Sequence, residues 1–418
     1  MQVVESEKGA RGLVAALSPV GILAPAAFRV RARPASLYHI YYNAAARFTV
    51  MLQEALRQAA GMLEKDVSDL DLGEPRFGDA RYAPVPFDAA RLKGIGEPSA
   101  AGTLGFVDGG NLELLHAPDF SVQLVRVCAV LFRGGERVPA RRAPQKVEFL
   151  CVSRAFPKEG EIFYSAELLP AGKAAGPLLP DREGLVLSSR DGRLASGPFR
   201  VDISAVGACA RRFAEWRLLE EIVRRELGPG DIAVRDGTLQ TAVTNESAPA
   251  SSAFQAALDG RVTLTALAKT SALFTSSGMS LLAAVGALAS GAGNAGRWYY
   301  HPLVVNEHPE HRAELFACRL HPASRHVFRF EILREQARSM GADALGRVFS
   351  SLASNSADLA FPGYPYGLIE ADNLARVKHS EKEALRALLA STLAARGAWE
   401  RLRGHMGASD AHDILDAL

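Results

Sequence analysis

Four carboxylates in this chain are spaced for metal chemistry. Asp108 ends the apolar run Leu104-Gly-Phe-Val107 and precedes Gly109-Gly110. Glu215 lies in Arg211-Arg-Phe-Ala-Glu-Trp216, within a long helical pattern. Asp236 ends Asp231-Ile-Ala-Val-Arg235 and precedes Gly237-Thr238, and Asp372 opens a helix after Phe361-Pro-Gly-Tyr-Pro-Tyr366. Buried strands carry their terminal residues to one edge of a sheet, and helices bring others beside them. Carboxylates gathered there repel one another until divalent cations neutralise them. Two such cations can hold the attacking and leaving oxygens of a phosphodiester. Each acid also has an ordinary use. Asp-Gly favours turns, Glu215 suits any solvated helix face, and Asp372 suits the first turn of a helix.

The elements that must position these residues follow from hydrophobic spacing. Apolar and aromatic residues three and four apart predict a helix over residues 35–64. A stretch rich in Pro, Gly and Asp, residues 66–102, reads as loop. Strands are expected at 103–107, 122–133, 146–154 and 161–169 as an antiparallel meander, followed by loop over 170–200. A helix over 204–227, capped by Asp202 or Ser204, buries Val206, Phe213, Leu218, Ile222 and Leu227 and stops at Gly228-Pro-Gly230. Short strands at 231–234 and 262–268 come next, the second ending in Lys269-Thr-Ser271. Strands at 298–305 and 326–333 are expected to pair around a loop. Helices close the chain at 367–377 and from Ser380 past Ala394, the last with the capping box Ser380-x-x-Glu383.

Composition bounds the answer without choosing a function. The chain has 418 residues, 48% hydrophobic and 22% charged, which suits an ordinary globular protein of one large domain or two to three small ones. A net charge of +2 confines any basic surface to a local patch. The four cysteines are scattered with no Cys-x-x-Cys pair, so buried free thiols are expected rather than a zinc site. Gly12–Ala27 imitates a signal peptide, but Glu5, Glu7, Pro19 and Pro25 argue against one. Met279–Ala289 is too short to span a bilayer. The expectation is a cytoplasmic protein with no membrane partner.

The order is a strand with Asp, a meander, a helix with Glu, a strand with Asp, further α/β structure and a late helix with an acid. That is the order of an RNase H-like fold, an α/β mixed sheet with flanking helices and here an insertion at about 115–200. Phe106-Val-Asp-Gly-Gly110, Arg211-Arg-Phe-Ala-Glu-Trp216, Val234-Arg-Asp-Gly-Thr-Leu239, Ala268-Lys-Thr-Ser271, Trp298-Tyr-Tyr-His-Pro-Leu303 and Gly363-Tyr-Pro-Tyr-Gly-Leu-Ile-Glu-Ala-Asp372, in that order, resemble the NurA nuclease family. The resemblance implies a manganese-dependent DNA nuclease, Mg²⁺ being the other candidate ion. It implies 5′-to-3′ exonuclease and single-strand endonuclease activity, a homodimer, and a HerA-type hexameric ATPase as partner in end resection and double-strand break repair. It divides the chain into a helical region and loop (1–102), a nuclease domain (103–377) and a C-terminal helical region (378–418).

Carried over residue by residue, Asp108 and Asp236 match the family aspartates, Glu215 the helical glutamate (with Glu220 and Glu221 as competitors), and Asp372 stands where relatives have His. Gly110 stands where Ser is usual. Asp108 would bridge two ions, with Asp236 and Glu215 on one side and Asp372 on the other. Lys269 would stabilise charge on the scissile phosphate. Tyr300, Tyr364 and Tyr366 would line the DNA path, the last two by stacking on unpaired bases. Two other classes stay open: a nucleotide-binding ATPase using Asp236-Gly-Thr238, and a catalytically degenerate relative that clamps DNA or docks an ATPase. Two patterns carry nothing. Gly291-Ala-Gly-Asn-Ala-Gly296 lies outside a strand-to-helix turn, and His308-Pro-Glu-His311 reads as a polar loop without a third ligand.

Overall fold

A computed structural model describes residues 52–64, 71–99, 102–173, 175–195 and 199–406. Contacts divide the chain into two units, Met1–Leu70 and Asp71–Leu418. In the first, residues 52–64 are helical, and the rest of the helix expected over 35–64 lies outside the described residues, as does Gly12–Ala27.

The second unit is organised by a twelve-stranded mixed sheet. Its principal strands are β1 (Leu92–Gly94), β2 (Thr103–Ala117), β3 (Phe120–Arg133), β4 (Lys146–Lys158), β5 (Glu161–Pro170), β6 (Ile232–Asp236), β7 (Thr263–Ala268), β8 (Trp298–Tyr300), β9 (Ala313–Arg319) and β10 (Phe328–Leu333). They lie in the order β1-β8-β9-β10-β7-β6-β2-β3-β4-β5, with Leu187–Ser188 beyond β5 and Glu136–Val138 against β3. β6 runs parallel to both β2 and β7, and the other pairings are antiparallel. β2 is therefore central. Residues 115–200 supply most of the meander rather than an excursion from it.

Helices cover both faces because successive side chains of a strand point to opposite sides. Val107 joins the core formed with α1 (Ala205–Arg225), among Val206, Phe213, Leu218 and Ile222. Phe106 joins the opposite core, with Phe349 and Leu352 of α5 (Ala342–Ser354) and Leu368 of α6 (Tyr366–Ala375). Between these lie α2 (Ser247–Asp259), α3 (Leu281–Gly291) and α4 (Arg334–Ser339), and α7 (His379–Ala395) follows α6.

Several elements differ from the sequence expectation, each for a local reason. The 66–102 stretch contains paired strands at Pro75–Arg76, Tyr82–Pro84 and Leu92–Gly94. β2 does not turn at Asp108-Gly-Gly110 but continues to Ala117, a strand of 15 residues. The crossover helix α2 escapes periodicity because it starts Ser247-Ala-Pro-Ala, although proline is tolerated in a first turn. The 298–305 run breaks at His301-Pro302 into β8 and Val304–Asn306, and β9 lies between β8 and β10. The last helix begins at His379 with Lys378 as N-cap and no side-chain cap bond, so the Ser380 box does not form. All four cysteines are free and buried, and burial pushes their thiols up, that of Cys151 to about 11. No described helix is long and apolar enough to cross a membrane.

Candidate metal centre

Parallel pairing places the two strand aspartates side by side. Arg235 is opposite Val107 in the β6–β2 register, so the next residues, Asp236 and Asp108, lie side by side where β6 ends, while β2 continues past Asp108 to Ala117. Open α/β sheets bind ligands at such ends. Lys269 follows β7, whose Leu267 pairs with Asp236. Helix α6 brings Asp372 over this edge, and two close approaches set its path. A Cβ on Gly367 would lie 2.1 Å from Cδ2 of Phe106, and one on Gly110 would lie 2.7 Å from the Ala375 carbonyl oxygen. Both glycines let the helix backbone sit directly on β2. A serine at position 110 would not fit beneath this helix as it lies.

One carboxylate oxygen from each of Asp108, Asp236 and Asp372 falls within 4.8 Å of the others. The Lys269 ammonium reaches all three, at 2.8 Å from Asp236 Oδ2, 3.0 Å from Asp372 Oδ1 and 3.8 Å from Asp108 Oδ2. The Gly109 N–H donates to Asp108 Oδ1 at 2.7 Å, and the Tyr364 hydroxyl donates to Asp236 Oδ1 at 3.2 Å. Arg376 pairs with the second oxygen of Asp372.

The electrostatics are those of an under-neutralised anion cluster. Burial, then the charges of Asp236 and Glu215, push the Asp108 carboxyl up to about 8, against the pull of Lys269 and the Gly109 N–H. Burial also works to raise Asp372, but Lys269 and Arg376 outweigh it and hold that carboxyl low. Burial works to lower Lys269, and the three carboxylates more than reverse it, so the ammonium stays charged. Three hard oxygen donors, two from the sheet and one from α6, suit a hard divalent cation.

Asp372 is not a first-turn acid. It sits in the last turn of α6, where its carbonyl accepts the Arg376 N–H. The helix dipole disfavours negative charge there, which is one reason it needs two cationic partners.

Glu215 does not join the cluster. One oxygen is taken by Arg211 and the other by Arg235 at 2.5 Å, and the carboxylate faces the place where a Gly109 side chain would be. Both oxygens are committed to guanidiniums, so the ligand role expected for Glu215 is corrected to that of an ion-pair partner. Glu220 and Glu221 pair with Arg224 and Arg225 on their own helix. The tyrosine expectation is corrected in two places. Tyr300 and Tyr364 are each 1% exposed and offer no face to a base, whereas Tyr366 is 37% exposed and packs edge-on against Phe132. Nor is His308-Pro-Glu-His311 an exposed polar loop. Both histidines are buried, His311 between Tyr82 and Glu331.

Sequence reasoning missed Arg235. It is fully buried, lies 4.4 Å from the centre of the Trp216 ring, and is pulled down by burial against the charge of Glu215. The signal was present: a charged residue inside an apolar strand must find a counter-charge.

No family model and no curated protein matches the chain. Solved structures that the chain is similar to include the following. The NurA nuclease from Sulfolobus solfataricus aligns at 13% identity over 84% of this chain and 97% of its own, with a TM-score of 0.45. Endonuclease V from Ciona intestinalis, in complex with a 24mer DNA, aligns at 9% identity over 66% of this chain and 84% of its own, with a TM-score of 0.32. Argonaute from A. aeolicus aligns at 10% identity over 66% of this chain and 28% of its own, with a TM-score of 0.26.

Proposed function

We propose that this chain is a divalent-cation-dependent nuclease that hydrolyses DNA phosphodiesters on an RNase H-like core. The observation that carries this reading is the convergence of Asp108, Asp236 and Asp372 around Lys269, beside the carboxyl ends of the parallel strands β6 and β7. The strand order β4-β3-β2-β6-β7, with β2 central and β6 and β7 parallel to it, supports the core. When bound, divalent cations would lower the pKa of a water nucleophile and stabilise charge on the leaving oxygen, the two-ion arrangement being the one proposed.

The chain's own residues prepare the site. Asp108, Asp236 and Asp372 would hold the ions. Tyr364 fixes one oxygen of Asp236 by its hydrogen bond, and Arg376 fixes one of Asp372. Lys269 is placed to donate a hydrogen bond to a non-bridging phosphate oxygen when cations take over its carboxylates. Glu215 acts through others, holding Arg211 beside Gly109 and Arg235 beneath β6. Manganese preference, 5′-to-3′ polarity, single-strand endonuclease activity, the homodimer, the HerA-type partner and the role in end resection and break repair rest on the motif resemblance, a cytoplasmic site of action rests on the N-terminal sequence and the scattered cysteines, and all belong to the same proposal.

The test is cleavage of end-labelled single- and double-stranded DNA with Mn²⁺, Mg²⁺ or EDTA, beside Asp108→Ala. Metal-dependent products that vanish in the variant are expected, and retained cleavage by the pure variant would sink the assignment. A second reading, a DNA clamp without catalysis, is favoured by one observation: Lys269 already neutralises part of the cluster without any metal. DNA binding with no cleavage under either cation would select it.

A further inference from the structure

A groove of about 540 Å³ begins at Lys269 and runs away from the acidic cluster between α3 and the β9–β10 connection. Ser280 and Ser290 line one side, and Arg319, Arg325 and His326 the other, with no Asp or Glu among its lining residues. The charge therefore changes sign along the path, from three carboxylates at one end to guanidiniums at the other. Most arginines near this site are committed to carboxylates, as Arg211, Arg235 and Arg376 are. The two in the groove are not. Among the described residues Arg319 donates only to the backbone carbonyls of Ser324 and Pro322, which fixes its guanidinium, and no carboxylate pairs with it. Arg325 is exposed and has no ion pair or hydrogen bond among the described residues. Trp298 also lines the groove, is 1% exposed, and its indole N–H is a buried donor with no partner. The anchor for an anion is therefore the pair of guanidiniums, Arg319 held by backbone carbonyls and Arg325 exposed, neither of which faces a carboxylate.

A groove of this size holds a drug-sized ligand, hence about one or two nucleotides of a strand. We infer that the groove carries the phosphate backbone of a single polynucleotide strand to or from the metal centre, with Arg319 and Arg325 on its phosphates. The inference rests on the nuclease reading, and it adds which face of the molecule the strand crosses. His326 is exposed at the rim and gives a base a ring to stack on.

Binding of the full chain to fluorescent oligo-dT, measured in EDTA across a salt series, tests the inference separately from catalysis. Arg325→Glu should weaken binding about tenfold or more and make the salt dependence shallower by about one phosphate contact. Arg325→Ala should weaken it less, and Arg190→Glu, outside the groove, should bind as the parent does. Parental affinity in Arg325→Glu would overturn the inference even if the protein cleaves DNA, and so would a parent that binds no oligo-dT or binds only duplex. A parent that binds oligo-dT through Arg325 yet never cleaves would instead remove the nuclease reading and leave the groove assignment standing.

Discussion

Asp108 and Glu331 are both buried carboxylates on strands of one sheet, yet the first is pushed up to about 8 and the second held down at about 2. Burial raises both. The difference lies in the neighbours. Glu331 accepts from Arg329 on one oxygen, and from His311 and the Leu239 N–H on the other. Asp108 has one backbone N–H and a share of a lysine 3.8 Å away, and it faces two further acids. A protein that builds the first arrangement in one place can satisfy a buried carboxylate. The second arrangement in the same sheet is a deficit of positive charge, of the kind found at functional sites.

The largest expected effect breaks the comparison at its chemistry. Asp108→Asn keeps the shape and removes the charge, and it should cut metal-dependent cleavage by about 10³-fold or more, equivalent to about 4 kcal/mol of transition-state stabilisation. Tm in metal-free buffer should hold or rise, because Asn needs neither a buried charge nor the proton that Asp108 must take up on folding. Cleavage within tenfold of the parent would remove Asp108 from the centre. The same exchange in the other region should have the opposite signature. Glu331→Gln strands Arg329 and His311 in the interior and should lower unfolding free energy by about 3 kcal/mol, read as a fall in urea midpoint. An unchanged midpoint would mean that this cluster contributes nothing to stability.

Proton linkage sharpens the contrast. Folding raises Asp108 from 3.8 to about 8, so the native state holds the extra proton across that interval and stability falls as pH rises through it. A divalent cation needs that carboxyl ionised. The gain in Tm on adding Mn²⁺ should therefore grow as pH rises towards about 8, by a few degrees. Folding lowers Glu331 from 4.5 to about 2, so its contribution is complete above 4.5 and is lost as pH falls towards 2, with no response to Mn²⁺. A Mn²⁺ effect that is flat with pH would refute the role given to Asp108.

The sequence shows these two regions unequally. Asp108 and Asp236 are legible because an apolar run ending in an acid followed by glycine leaves few structures. The meander β2-β3-β4-β5 follows from its strand spacing, whereas β9, which separates β8 from β10, does not. The local conformation at Gly109-Gly110 is not legible, because an Asp-Gly pair reads as a turn until α1 and α6 are known to press on both sides of the strand. Glu215 reads as a ligand for the same reason: only the fold shows Arg235 rising from β6 to meet it. The Glu331 cluster is spread over Tyr82, Leu239, His311 and Arg329, and nothing in their spacing along the chain announces that they meet.

Lys269 permits the finest test of the comparison, with the smallest expected effect. It is the ammonium the three aspartates share, and at 38% exposure its attraction is weakened by solvent. Lys269→Met should therefore lower metal-free stability by only about 1 kcal/mol. A dication placed among the same carboxylates performs the same neutralisation, so saturating Mn²⁺ should restore the loss, and apparent Mn²⁺ affinity should tighten severalfold because no ammonium competes. Stability is read by urea unfolding and affinity by titration of the thermal shift. In the Glu331 cluster no dication could replace the lost partner, since its donors are fixed guanidinium, imidazole and backbone N–H groups. A Lys269→Met deficit that Mn²⁺ leaves untouched would make this lysine a structural partner like Arg329, and the distinction between the two regions would fail at its most exposed member.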